Sequence, residues 1–235
     1  MVPDRLVNVS APVIVVQART GSARLPGKVL ADLCGRPLLA WLLERVRPSR
    51  LAAGVAVATT IDTADDAVAQ LARDLGIAVI RGDRLDVLGR FAQAARELDA
   101  PVLVRLSGDS PLIDATTVDF VLDDFARGGA EVVENHRASG WPVGTAVEVL
   151  TRECLDAMAA EATAPGHREH VTTYAYETEG RFTVRHVAPP PEACAPTLRL
   201  CVDTQEDLDR LREVCAEFAP RRDFGLAEIV RASAA

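Results

Sequence analysis

Residues 13–28 read Val13-Ile14-Val15-Val16, then Gln17-Ala18-Arg19-Thr20-Gly21-Ser22-Ala23-Arg24-Leu25-Pro26-Gly27-Lys28. Uninterrupted β-branched residues followed by a polar, glycine-containing loop are the signature of a strand buried on both faces, the kind found in parallel sheets. The same texture recurs downstream. A helix starts near Pro37, carries Leu38, Leu39, Trp41, Leu42, Leu43 and Val46, and is stopped by Pro48. Val55-Ala56-Val57-Ala58 is a second strand, and Asp62-Thr63-Ala64-Asp65 opens a helix that Gly76 closes. Ile77-Ala78-Val79-Ile80 is a third strand, residues 85–98 form a helix, and Val102-Leu103-Val104-Arg105-Leu106 is a fourth strand running into Ser107-Gly108-Asp109-Ser110-Pro111. Strands alternating with helices predict an α/β fold with a mostly parallel sheet.

From about 130 onward the elements shorten. Strand-like segments are expected at 146–150, 182–187 and 198–202, with helices at 152–162 and 204–218. Residues 1–235 therefore read as a single domain, its core about 11–130 and 197–230, with a smaller subdomain at about 131–196.

Composition narrows the classes of function. Of 235 residues, 49% are hydrophobic and 26% charged, which is globular, and no apolar run approaches the length of a membrane span. No cationic start followed by an apolar segment is visible, so a cytoplasmic protein with no membrane partner is expected. Five widely spaced cysteines with no C-x-x-C pair argue against a disulfide framework or a zinc site, and predict reduced, mostly buried thiols. A net charge of −8 disfavours nucleic acid as the partner. Residues 1–50 nevertheless hold eight cations against three anions, so a small anionic ligand is expected near the front of the chain. Lys28 is the only lysine among 26 basic residues, which invites a role that arginine cannot fill.

In open α/β sheets ligands sit beyond the carboxyl ends of the strands, so the loops after Val16, Ile80 and Leu106 should converge on one crevice. The first loop offers Gly21 and Gly27 for close backbone approach and Arg19, Arg24 and Lys28 for charge, a composition suited to phosphates. It is no Walker A loop, because Ser22 stands at the first glycine position and Val29 at the hydroxyl position, and no G-x-G-x-x-G is present. Solvated arginines capping a strand would be the reading for a lone arginine; three cations with two glycines and the only lysine disfavour it. Asp109 and Asp203, each after a strand, suit magnesium, which takes one or two carboxylates plus substrate phosphates. Each also reads as a cap, Asp203 with Glu206 resembling a capping box. Arg168-Glu169-His170-Val171-Thr172 reads either as a binding or proton-transfer cluster or as a charged helix start.

Six ordered motifs resemble the cytidylyltransferase family that contains the CMP-sialic acid and CMP-Kdo synthetases, closest to its spore-coat-polysaccharide branch. They are the first loop from Gln17 to Lys28; Arg81-Gly82-x-x-x-Asp86-Val87-Leu88-x-Arg90-Phe91; and Arg105-Leu106-Ser107-Gly108-Asp109-Ser110-Pro111-Leu112-Ile113-Asp114. Trp141-Pro142-x-Gly144-x-x-Val147-Glu148-Val149, Arg168-Glu169-His170-Val171-Thr172 and Arg199-Leu200-x-Val202-Asp203-Thr204-x-Glu206-Asp207-Leu208 follow. The resemblance implies a three-layer α/β/α nucleotide-diphospho-sugar transferase (GT-A-like) fold, a dimerisation subdomain and a homodimer. It implies transfer of CMP from CTP to a small acidic or phosphorylated sugar-like acceptor, with Mg2+ as cofactor and release of pyrophosphate. It places nucleotide at Gln17, Ala18, Arg19, Gly21, Ser22, Arg24, Lys28, Arg81, Gly82, Ser107 and Asp109. Metal falls on Asp109 and Asp203, acceptor on Asn135, Glu148, Arg168, Glu169 and His170, and the catalytic roles on Lys28, Arg24 and Asp109. Ala23, Thr145-Ala146 and Thr173 depart from the branch pattern, and the second departure lies in the implied sugar pocket, so the acceptor is not inherited. Another nucleotide, a phosphonate acceptor or a non-catalytic nucleotide-binding module are the competing readings; a glycosyltransferase is disfavoured because Gly108-Asp109-Ser110 supplies no D-x-D.

Overall fold

The computed structural model describes residues 11–138 and 140–233. The first half is built from β1 (Val13–Gln17), a small hairpin of β2 (Asp32–Leu33) and β3 (Arg36–Pro37), α1 (Leu38–Val46), β4 (Gly54–Thr60), α2 (Asp66–Asp74), β5 (Ala78–Gly82), α3 (Val87–Glu97), β6 (Val102–Ser107) and α4 (Ala115–Phe125). The second half adds β7 (Val132–Glu134), β8 (Glu148–Thr151), α5 (Arg152–Glu161), α6 (Pro165–Glu169), α7 (Thr173–Glu177), β9 (Val184–His186), α8 (Gln205–Phe218) and α9 (Leu226–Ser233).

Seven strands form one sheet in the order β5-β4-β1-β6-β8-β7-β9. Only β8 runs against the others, pairing antiparallel with β6 and with β7. The expected mostly parallel α/β sheet is thus present, and the segment around 131–196 extends the same sheet by three strands. The period of two along β1 explains the layering. Val13 and Val15 join Leu88, Phe91 and Leu155 on one face. Ile14 and Val16 join Leu39, Leu42, Val68 and Val118 on the other. Every one of these side chains is buried, each such burial contributing roughly 1.5–3 kcal/mol before chain entropy is charged against it. A third cluster, from Leu33, Trp41, Leu200, Val202, Leu208, Leu211 and Phe224, fastens α8 and α9 to the hairpin and α1.

Helix starts follow local capping. Asp86 accepts from Gly89 N–H at 2.8 Å, which moves the start of α3 two residues past the expected 85. Asp114 does the same for Thr117 at 2.7 Å and starts α4, a helix that the periodicity reading passed over. Three expectations are corrected. Residues 198–202 are not a strand but a single bridge between Val143 and Arg199. Val202 N–H is instead spent on Asp109 O at 2.8 Å, so no ladder continues. The capping box of α8 is Thr204 with Asp207, one residue later than Asp203 with Glu206, which frees the Asp203 side chain from the cap. The thiols are not mostly buried: Cys154 and Cys215 are, whereas Cys34, on the β2–β3 turn at φ 50°, and Cys194 are exposed. No helix among the described residues is long and apolar enough to cross a membrane.

Candidate active site

The first loop is shaped by hydrogen bonds to its own backbone and to one buried acid. Thr20 O accepts from the N–H groups of Ser22 and Gly27, each at 2.8 Å, folding the loop back on itself. Gly27 then adopts φ 73°, a left-handed conformation that glycine takes without strain, and a 3-10 turn over Lys28–Leu30 follows. That reversal directs the lysine inward. Lys28 is 8% exposed and its Nζ donates to Asp109 Oδ2 at 2.8 Å, Asp203 Oδ1 at 3.0 Å and Val202 O at 2.7 Å.

The two acids reach Lys28 from opposite ends of the sequence because their backbones are stitched together. Gly108 N–H donates to Gln17 O at 2.8 Å, and a Cβ on Gly108 would stand 2.8 Å from that same oxygen, so only glycine lets the β6 loop come this close to β1. The Val202–Asp109 backbone bond brings Asp203 alongside. Asp203 also pairs with Arg24 at 2.9 Å and with Arg199 at 2.6 Å, while Arg199 continues to Asp207 at 3.1 Å.

Charge states follow from these contacts. Burial, the largest single influence on Lys28, pulls its pKa down, and the Asp109 and Asp203 carboxylates together more than reverse it, so the ammonium is held charged. Burial likewise pushes Asp203 up, and the hydrogen bond and charge of Lys28, with Arg24 and Arg199, bring it below the ordinary value.

The cluster lies on the wall of a cavity of about 470 Å³. Of the residues expected from sequence, Gln17, Ala18, Arg19, Gly21, Ser22, Arg24, Lys28, Ser107, Asp109, Glu169, His170 and Asp203 line it. Five do not. Arg81 is occupied by Thr60 O at 2.7 Å, Asp62 O at 2.9 Å and Asp66 at 2.6 Å, fastening β5 to the start of α2. Gly82 packs beneath Arg90, whose Cγ would lie 2.7 Å from any Cβ placed there. The loop after β5 therefore supports the crevice instead of entering it. Asn135 is fully buried, donating to Thr145 O at 2.9 Å and accepting from Val147 N–H at 2.7 Å. Arg168 faces away, bound to Asp86 and to Ala159 O.

Glu148 is the fifth, and its position is instructive. It is 3% exposed, takes Thr172 Oγ at 2.6 Å and Tyr176 OH at 2.7 Å on one oxygen, and pairs with Arg105 through the other. Register sets this up: Arg105 on β6 stands directly opposite Glu148 on β8, which stands opposite Glu134 on β7, which stands opposite His186 on β9. Two like charges side by side repel. Arg105 pairs with one, and the Nδ1 atoms of His136 and His186 lie within hydrogen-bonding distance of the other.

Arg90, Arg105, Val87 and Gly108, which stand in the quoted motifs but were assigned no site role, also line the cavity. Arg105 interrupts an otherwise apolar strand, and Arg90 lies on the buried side of its helix beside Leu88 and Phe91. A cation at a core position was the signal available.

The profile of the cytidylyltransferases matches residues 13–224. The chain belongs to this family. Among its relatives are the spore coat polysaccharide biosynthesis protein SpsF of Bacillus subtilis, 30% identical over 221 residues (92% of this chain, 91% of the relative). The 3-deoxy-manno-octulosonate cytidylyltransferase of Anaeromyxobacter dehalogenans is 32% identical over 239 residues, covering 86% of this chain and 97% of that one. A cytidylyltransferase structure from Leptospira borgpetersenii superposes with a TM-score of 0.86 at 28% identity, over 95% of this chain and 92% of that one. The resemblance read in the sequence is thus to the family the chain belongs to, and the superposition shows a shared architecture.

Proposed function

We propose that this member of the family transfers CMP from CTP to a small acidic or phosphorylated sugar-like acceptor. The observation that carries the reading is Lys28 Nζ, held between Asp109 and Asp203 at 2.8 and 3.0 Å on the wall of a cavity floored by the glycine- and arginine-bearing loop. Phosphoryl chemistry of this kind asks the protein mainly to position groups and to stabilise charge. In the reaction an acceptor hydroxyl gives its proton to water as its oxygen bonds to the α-phosphorus, and the bond from that phosphorus to the bridging oxygen breaks, its electron pair leaving with pyrophosphate. Arg24, whose side chain is 64% exposed, and Lys28 sit where they would face charge growing on the α-phosphate and the leaving group. Ser22, Gly21 and the loop backbone line the remaining phosphate side.

The donor set fits a divalent cation. The carboxylates of Asp109 and Asp203 converge beside Lys28 on the cavity wall, and two hard oxygen donors next to a phosphate-sized space are the chemistry a divalent cation takes. Magnesium takes one or two carboxylates and completes its shell with water and substrate phosphates, so Asp109 and Asp203 are the residues that would hold it. When bound on Asp109 and Asp203 such an ion would supply Lewis-acid stabilisation of phosphate oxygens.

The test is pyrophosphate release from each of the four nucleoside triphosphates with magnesium, across a panel of acidic and phosphorylated sugars. Release with CTP and at least one acid supports the reading. Release only with another triphosphate would reassign the base, and tight CTP binding with no pyrophosphate from any acceptor would point to a binding module.

A further inference from the structure

The β2–β3 hairpin turns on Cys34 and Gly35, the two residues between Leu33 and its partner Arg36. Both take left-handed backbone, Cys34 at φ 50° and Gly35 at φ 81°. A two-residue turn of that kind is the place for Asn, Asp or Gly, so a cysteine there is held against its preference. The turn does not use the Cys34 side chain, because Gly35 N–H donates to Asp32 Oδ1 at 3.3 Å. The thiol reaches α8 instead, where Sγ donates to Arg212 O at 3.5 Å.

α8 presents a second thiol at the same place. Cys215 follows Arg212 by three residues, which puts both on one face of the helix. Its side chain is buried in the third cluster with Leu33, the residue before Cys34, and its sulfur lies within hydrogen-bonding reach of the Cys34 sulfur. Two bonds from the Arg212 guanidinium to Asp32 O, at 3.2 and 2.8 Å, hold turn and helix in this alignment. The two sulfurs differ in access, Cys34 being exposed and Cys215 buried. Burial first, and the neighbouring Cys34 next, push the Cys215 thiol up to about 12, which keeps it protonated at neutral pH. An exposed thiol that meets oxidant, beside a buried one that does not, is the pairing of an attacking and a resolving cysteine.

We propose that Cys34 and Cys215 form an intramolecular redox pair, closed to a disulfide by hydrogen peroxide and reopened by a dithiol. In the first step the Cys34 sulfur bonds to one peroxide oxygen, the O–O bond breaks, and the departing hydroxide takes the thiol proton as water, leaving a sulfenic acid. In the second the Cys215 sulfur bonds to the Cys34 sulfur, the S–O bond breaks, and that hydroxide leaves as water with the Cys215 proton. Two thiols are oxidised to one disulfide while one peroxide is reduced to water. The new bond ties the hairpin that follows Lys28 to the helix that follows Asp203, closing a loop over most of the chain. None of this depends on the nucleotidyl-transfer reading.

The experiment treats the reduced, full-length protein with a slight excess of hydrogen peroxide and reads intact mass, a non-reducing peptide map and thermal melting. Expected are a single chain lighter by two hydrogens, a cross-linked peptide joining Cys34 to Cys215, and reversal by dithiothreitol. The melting temperature of the oxidised form is expected to rise by about 5 °C or more, because a long closed loop restricts the unfolded chain. Cys34→Asn suits the turn, so it is expected to fold at least as stably when reduced and to lose both the mass change and the melting shift. Cys215→Ala is expected to leave a Cys34 sulfenic acid that dimedone labels and that further peroxide carries to sulfinic acid. An unchanged wild-type mass overturns the proposal, as does a Cys34 that passes to sulfinic acid in the wild type, or a cross-link through any other cysteine. A disulfide that persists in Cys34→Asn, or one that leaves the melting temperature unmoved, overturns it equally.

Discussion

One carboxylate oxygen of Asp65 accepts both the backbone N–H and the hydroxyl of Thr20, each at 2.7 Å. The other oxygen accepts from Thr60 at the end of β4. Because Thr20 O in turn folds back the loop that carries Lys28, Asp65 sets the shape of the phosphate side without lining the cavity. Asp65→Ala leaves the Thr20 N–H and the Thr60 hydroxyl without an acceptor, and is expected to cost about 1–3 kcal/mol in a urea melt. Its kinetic signature is a raised KM for CTP with a smaller change in kcat; unchanged KM would detach Asp65 from the loop.

Lys28→Ala is expected to lower kcat by roughly 10²-fold or more, the scale for losing one donor to developing oxyanion charge. Lys28→Arg should fail to restore it. The buried ammonium satisfies three acceptors around a single nitrogen, which a planar guanidinium is unable to reproduce. Steady-state turnover of both variants is the check, and near-normal rates in either would take the ammonium out of the chemistry.

Asp109→Asn and Asp203→Asn should each move the magnesium requirement of pyrophosphate release upward, by tenfold or more in the midpoint of a metal titration, since one hard anionic ligand is lost. Asp203→Asn also unsettles Arg24 and Arg199, so its effect should exceed that of Asp109→Asn. Superimposable titrations for wild type and both variants would assign the metal to other ligands.

Glu134 links fold stability to acid. Desolvation pushes its carboxyl up, yet the hydrogen bonds from His136 and the Arg137 N–H, the His136 charge and the His186 bond overcome this and hold it at about 2, against an ordinary 4.5. A folded value below the unfolded one stabilises the protein fully above pH 4.5, and that stabilisation fades as pH falls from 4.5 toward 2. Glu134→Gln should flatten this limb of a stability-versus-pH curve, by on the order of 2 kcal/mol. An unaltered acid limb would mean that the carboxylate contributes nothing through its ionisation.

Sequence periodicity exposed the parallel core because each strand there is buried on both faces and so reads as an apolar run. Val13–Gln17 and Val102–Ser107 are found within one residue of their expected limits. Residues 198–202 misled for another reason: Leu198, Leu200 and Val202 alternate like a strand and enter the third cluster, but the N–H groups of this segment serve other loops. Lys28, Asp109 and Asp203 were legible as candidates through residue type, Asp109 also through its place after β6, whereas Asp203 follows no strand and reaches Lys28 through the Val202–Asp109 backbone bond. Arg90 stood in a quoted motif but received no role, because nothing local to α3 marks which of its residues the fold turns toward the cavity. Glu148 was visible as an acid beside apolar neighbours, but only the β6–β8 register reveals that an arginine stands between it and the cavity.

That register has a consequence for how the chain reaches its native topology. A shift of β8 by a single residue would exchange its two faces, burying Glu148 among aliphatic side chains and stranding Arg105, Glu134 and the histidines without counterparts. A one-residue misalignment is therefore penalised electrostatically as well as by packing, the polar row on the reversed strand adding to the discrimination that the aliphatic faces supply.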